Sequence, residues 1–209
     1  MITLAIDTST PRGSVAVVAF DEVVFEENIC ADRNHSSALF AALQNARSNA
    51  RRIDRIAVGL GPGSYAGIRI AISAALGMQL ALECKLVGIP SVAALENGWQ
   101  RSLVIGDARR GSFYCTAVEH GICIDGPVLI NEMDLRERID GLGWPVFTTE
   151  RLHDFPTAQI SAPSAAILGR LAGQARSIVQ TGDLEPLYLR DPHITQPKVR
   201  PKSATVVVE

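Results

Sequence analysis

One carboxylate followed by a run of hydroxyls, Asp7-Thr8-Ser9-Thr10, stands just before Gly13-Ser14. In a tight turn such a stretch can make an anion-binding nest of N–H groups and hydroxyls, and the carboxylate can hold a hydrated Mg²⁺. The same residue types also make an ordinary hairpin turn. Further along, Asp107 and Arg109 either bind an anion in a cleft or form the ion pair that pins a turn. The four histidines, His35, His120, His153 and His193, show no HxxxH or HExxH spacing, so no metal site is expected. His35 adjoins Ser36, but neighbours at a helix start point different ways and no acid orients the pair. Ser36 is therefore read as a cap or a partner-facing residue, and no catalytic residue is assigned. Cys30, Cys84, Cys115 and Cys123 form no CxxC pair and are expected to be small core residues of a reduced, cytoplasmic protein.

The elements that must position these groups follow from periodicity. Ile2, Leu4 and Ile6 alternate with Thr3 and Ala5 as in a strand, and strand-like runs follow at Ser14–Phe20 and Val23–Ile29 with a tight turn at Asp21-Glu22. Leu39, Leu43, Ala46 and Ala50 then recur at helical spacing behind Ser36, and Ile56–Leu60 reads as a buried strand. A helix begins after Gly61-Pro62-Gly63 with Ser64 as its cap, a strand follows near Leu86–Ile89, and a short helix starts at Ser91. The second half repeats this order: strands at Leu103–Asp107, Phe113–Glu119 and Ile122–Ile130, a helix from Asn131, a strand at Pro145–Thr148 and a helix from Pro163. Arg110-Gly111-Ser112 echoes Arg12-Gly13-Ser14 at the matching hairpin. The reading is two domains, 1–100 and 101–209 with a short tail, divided near Trp99 to Ser102.

The Ser64 helix carries a single charge, Arg69, before Glu83, where a surface helix normally keeps a charged face. Its uncharged run, Ile70 to Leu82, covers only about 20 Å of a hydrocarbon layer roughly 30 Å thick, so no membrane partner is expected. Gly67, Ala71, Ala74, Met78 and Ala81 recur at spacings of three and four. That row either admits a partner helix closely or packs under the chain's own helices, with Ile68, Ile72 and Leu76 anchoring elsewhere. With Ser36, Leu39, Leu43, Tyr65 and Ile68, it makes the expected partner surface.

The chain has 209 residues, 47% of them hydrophobic, and a net charge of −2. It can bury a substantial core, and it lacks the basic excess of a protein that grips nucleic acid unaided. The Lys198-Val199-Arg200-Pro201-Lys202 tail either touches phosphate or an acidic partner or is simply solvated. MITLAIDTST has no basic start, and no signal peptide is expected there.

Two mixed sheets, each led by antiparallel strands, resemble the duplicated ribonuclease-H-like fold of the actin, sugar-kinase and Hsp70 superfamily: α/β, with helices flanking both sheets. In that superfamily the first strand ends in Asp, and the first hairpin cradles a nucleotide phosphate. Asp7, Thr8, Ser9, Thr10, Gly13 and Ser14 look like a vestige of that loop, with Asp107 and Arg109 across from it. Gly61-Pro62-Gly63-Ser64-Tyr65 with Gly67-Ile68-Arg69-Ile70, Asp107-Ala108-Arg109-Arg110-Gly111 before Phe113-Tyr114, and Leu187-Tyr188-Leu189-Arg190 narrow the resemblance to the bacterial TsaB (YeaZ) family. Tyr65-Ala66 and Ser112 depart from the Phe-Thr and Glu common there. The resemblance implies a non-catalytic scaffold for making threonylcarbamoyladenosine (t6A) at position 37 of tRNAs that read codons starting with A. Its implied partners are a TsaD-like paralogue, which performs the transfer, a TsaE-like ATPase, and a second copy of the chain when alone. It implies tRNA contact only through the complex and no cofactor, save ATP or ADP with Mg²⁺ at a complex interface. The alternative is an ATP-dependent small-molecule kinase of the same superfamily.

Overall fold

The computed structural model describes residues 1–30, 35–50, 52–96 and 100–189. The Arg190 end of the Leu187-Tyr188-Leu189-Arg190 motif, the basic tail and the side chain of His35 lie outside the described residues. Strand β1 (Ile2–Asp7) pairs antiparallel with β2 (Arg12–Ala19), which pairs with β3 (Glu22–Cys30). Phe20 and Asp21 both adopt positive φ in the β2–β3 turn, the twist a two-residue hairpin favours. Helix α1 (His35–Asn49), β4 (Arg55–Gly59), α2 (Tyr65–Leu82) and β5 (Lys85–Ile89) follow, with β4 parallel to both β1 and β5.

The second half runs β6 (Arg101–Asp107), β7 (Phe113–Glu119), β8 (Ile122–Ile130), α3 (Glu132–Leu142), β9 (Val146–Thr148) and β10 (Gln159–Ile160). Its sheet order, β10-β9-β6-β7-β8, repeats the β5-β4-β1-β2-β3 order of the first sheet, strand for strand and direction for direction. The expected duplication is thus present in the topology. The turn at His120-Gly121 even repeats the positive φ of Phe20-Asp21.

Alternation along the first sheet assigns its two faces. Leu4, Ile6, Val15 and Val17 point to one side, where Leu39 and Leu43 of α1 and Ile68 and Ile72 of α2 cover them. Ala5, Ala16 and Ala57 point to the other. That small-residue face is covered from the second half of the chain by α4 (Ala165–Leu171), whose Gly169 lies so close that a Cβ there would stand 2.6 Å from Val18 Cγ2. A further strand, β11 (Gln180–Thr181), pairs antiparallel with β5 at the edge of the first sheet. The division near residue 100 therefore separates the two sheets, but the chain after about residue 163 packs back on the first one. Of the cysteines, Cys115 is buried, Cys84 and Cys123 are half-buried and Cys30 is exposed, so the expectation of core residues fits Cys115 best.

Helix α2, at 18 residues, is long and apolar enough to cross a membrane by length and composition alone. In the fold, Ile68, Ala71, Ile72 and Ala75 bury one of its faces on the sheet. Among the described residues, nothing covers the opposite face.

Candidate docking groove and interdomain cleft

Asp7 ends β1 fully buried. Its Oδ1 accepts from the N–H of Ser9 at 2.9 Å and from the Ser9 hydroxyl at 2.7 Å. Its Oδ2 makes no well-formed hydrogen bond; the Ser91 hydroxyl beside it already accepts from Gly61 N at 2.9 Å. Gly59 is required opposite, because a Cβ there would stand 1.8 Å from Oδ2. The hydroxyls around it are turned inward as well. Thr8 donates to Gly67 O at 2.8 Å, Thr10 donates to Arg12 O at 2.9 Å, and Ser14 accepts from Ala165 N, where α4 begins, at 2.9 Å. The carbonyl of Ser9 accepts from Ser64 N at 2.6 Å. A Cβ on Gly13 would stand 3.0 Å from Asp7 O, so this turn is packed tight. The loop expected to cradle phosphate thus spends its polar groups joining β1 to α2 and α4, and only Ser9, Thr10 and Pro11 border the cleft between the halves.

Burial pushes the Asp7 carboxyl above its ordinary value, against the pull of the neighbouring Ser91 hydroxyl and of the two hydrogen bonds from Ser9. A raised native pKa means that the protonated form favours folding; this contribution is complete below the unfolded pKa and is lost as pH rises through the native one. Asp7→Asn keeps an acceptor for Ser9 without the charge. Its melting temperature should exceed that of the parent at pH 7, with the gap closing towards pH 4. A lower melting temperature at every pH would mean that the charge itself is needed.

The interdomain cleft, about 1190 Å³, is walled on its other side by the β6–β7 turn. Asp107 Oδ1 accepts from Arg109 N at 2.6 Å, and Oδ2 pairs with Arg109 Nη1 at 3.1 Å. The pair pins this turn and at the same time borders the cleft. Arg109, Arg110 and Gly111 all hold positive φ, a strained arrangement for two arginines. Beneath them Tyr114 is buried, its phenol pushed up to about 12 by burial, and Gly106 leaves room for its ring. Glu150 accepts from Asp107 N at 3.3 Å, so two carboxylates accompany the two arginines on this wall. Among the described residues no group of three His, Cys, Asp or Glu side chains is placed to hold a metal.

The uncovered faces of α1 and α2 form a shallow apolar groove of about 620 Å³. Ser36 and Phe40 line it from α1; Ile70, Ser73, Ala74, Gly77, Met78 and Ala81 line it from α2. Phe40 is 55% exposed, and nearby Leu80 is 78% exposed. Among the described residues a Cβ placed on Gly77 would have nothing within 4 Å, so none of them explains a residue that costs a helix about 1 kcal/mol relative to alanine.

The expected partner surface is partly corrected. Leu39, Leu43, Ile68 and Ala71 are buried against the sheet, and Gly67 is pressed so close to the β1–β2 turn that a Cβ would stand 2.0 Å from Thr8 O. Ser36 and Tyr65 are exposed, Met78 is half-buried, and Ala74, at 7% exposure, lies on the groove wall. The outward row keeps Ala74, Met78 and Ala81 of the expected one but replaces Gly67 and Ala71 with Ile70 and Gly77, a turn of about 50° around the helix axis. Both rows consist of small and aliphatic residues, so periodicity alone does not separate them. Phe40, Ser73 and Gly77 were missed, although a lone mid-helix glycine was a readable signal. At the groove mouth the Arg69 guanidinium sits 5.1 Å over the Tyr65 ring and donates to its hydroxyl, while Tyr188 stacks on Tyr65 at 5.6 Å. Backbone N–H of Leu187, bonded to Leu60 O at 2.9 Å, holds Tyr188 there.

A family model described as TsaD, tRNA N6-adenosine threonylcarbamoyltransferase, matches residues 29–180. An uncharacterized protein of Mycobacterium tuberculosis is 32% identical over 200 residues, covering 90% of this chain and 92% of its own. The tRNA threonylcarbamoyladenosine biosynthesis protein TsaB of Escherichia coli is 32% identical over 121 residues, 53% of this chain and 52% of its own. A solved Pseudomonas aeruginosa structure, described as an uncharacterized protein with similarity to peptidase YEAZ, superposes with a TM-score of 0.73 at 26% identity, covering 90% of this chain and 99% of that one. The chain belongs to the TsaB (YeaZ) family.

Proposed function

We propose that this chain is a non-catalytic scaffold for t6A formation on tRNA, holding a TsaD-like transferase in its α1/α2 groove. The observation that carries the reading is the groove itself, apolar, uncovered and centred on Gly77, whose missing side chain is unexplained unless another backbone passes there. Relatives named for t6A biosynthesis support the pathway. A TsaE-like ATPase joins the complex, a second copy occupies the groove when the transferase is absent, and tRNA is engaged through the assembly, in the cytoplasm. The chain needs no cofactor alone; ATP or ADP with Mg²⁺ enters, if anywhere, at the complex interface.

Purified alone, the chain should neither hydrolyse ATP nor form t6A on tRNA, while adding it to the transferase and ATPase of the same organism should restore t6A formation, read by nucleoside mass spectrometry. Turnover by the isolated chain, equal in an Asp7→Asn preparation purified in parallel, would expose a contaminant; turnover lost in that variant would overturn the scaffold reading.

A further inference from the structure

Arg69 is the single charge in the 18 residues of α2. It lines the apolar groove, and among the described residues it forms no ion pair. Its contacts are neutral tyrosines: the guanidinium donates to the Tyr65 hydroxyl and lies over that ring at 5.1 Å, and Tyr188 backs the ring at 5.6 Å. Tyr65 and Tyr188 are themselves 53% and 45% exposed. An arginine held by stacking keeps its planar fork pre-organised, and such a fork matches a carboxylate in two parallel hydrogen bonds. A partner that covered the groove would strip water from this guanidinium, and burying it without an opposite charge would be strongly unfavourable.

We propose that Arg69 reads a carboxylate on the docking partner, which presents a helix with bulky aliphatic residues over Ala74 and Gly77 and an Asp or Glu about two helical turns away. The separation follows from α2 itself, where eight residues from Arg69 to Gly77 span about 12 Å. The inference rests on the scaffold reading, because the partner is the one that enters the groove. Tyr65 and Tyr188 act as positioning residues that hold the fork, Tyr65 through its hydroxyl and ring and Tyr188 by backing that ring.

The test measures binding of the same organism's TsaD-type transferase, by calorimetry at low and high salt, to the parent and to Arg69→Gln, Arg69→Glu and Gly77→Arg. The expected order is parent, then Gln, then Glu, with Arg69→Glu weaker than the parent by roughly 100-fold because it sets two carboxylates face to face, and with the parent more salt-sensitive than Arg69→Gln. Arg69→Glu binding as well as Arg69→Gln would show that no carboxylate faces the position and would overturn the inference. If Gly77→Arg abolishes binding while both Arg69 variants bind normally, the carboxylate fails and the groove stands. If Gly77→Arg also binds normally, or the parent does not bind at all, the scaffold reading fails and takes this inference with it. Arg69 is exposed, so melting temperatures of its variants should stay near that of the parent.

Discussion

Gly77→Arg should abolish binding of the TsaD-type partner while leaving the monomer folded and slightly more stable. Nothing lies within 4 Å of the added Cβ, so the side chain enters open space in the isolated chain. Arginine is a better helix former than glycine by about 0.7 kcal/mol, and at this chain length that raises the melting temperature by about 2 °C when both proteins are compared at a dilution where no second copy occupies the groove. In the complex the same side chain would be driven into a helix–helix contact, where an unpaired buried charge costs roughly 3–5 kcal/mol, a loss of several hundredfold or more in affinity. The pairing is diagnostic because a residue of the chain's own core would lose stability and binding together. A folded variant that binds normally would place the partner on another face.

Gly67→Ala should do the opposite: unsettle the fold without touching the groove. The added methyl would stand 2.0 Å from Thr8 O, a backbone atom of the β1–β2 turn, and 3.3 Å from Ser64 Cβ. Relieving the clash means moving the N-terminus of α2 off that turn. The Thr8 hydroxyl bond to Gly67 O and the Ser64 N–H bond to Ser9 O would be strained or broken in the process. A cost of about 3 kcal/mol is expected, or roughly 6–12 °C in melting temperature. Below the transition, affinity per folded molecule should fall far less than in Gly77→Arg, because the added methyl does not enter the groove. An unchanged melting temperature would show that the helix is not pinned to the turn.

These two glycines mark what was and was not legible in the sequence. Ser64 after Gly61-Pro62-Gly63 announced the helix start, and the cap is there, accepting from Gly67 N at 3.2 Å. The leading strands of the first half were legible because Leu4 and Ile6, or Val15 and Val17, alternate with small residues. The strands β10 and β11 are two residues long, too short for a period, and the return of α4 to the first sheet depends on alanines distant in sequence. The hydroxyls of the β1–β2 turn have the composition of a ligand loop, and only their geometry assigns them to the backbone of α2 and the start of α4. Side-chain size likewise did not orient α2, because alanine and glycine serve both its buried face and its open one.

The most direct test of the scaffold account is t6A formation by the transferase and ATPase of the same organism, supplied with tRNA, ATP and an activated threonylcarbamoyl donor, and assayed with no added chain, with the parent chain and with Gly77→Arg. The account predicts t6A with the parent, little or none without it, and little or none with the folded Gly77→Arg variant. Full t6A formation with Gly77→Arg, or equal formation with no chain present, would contradict it.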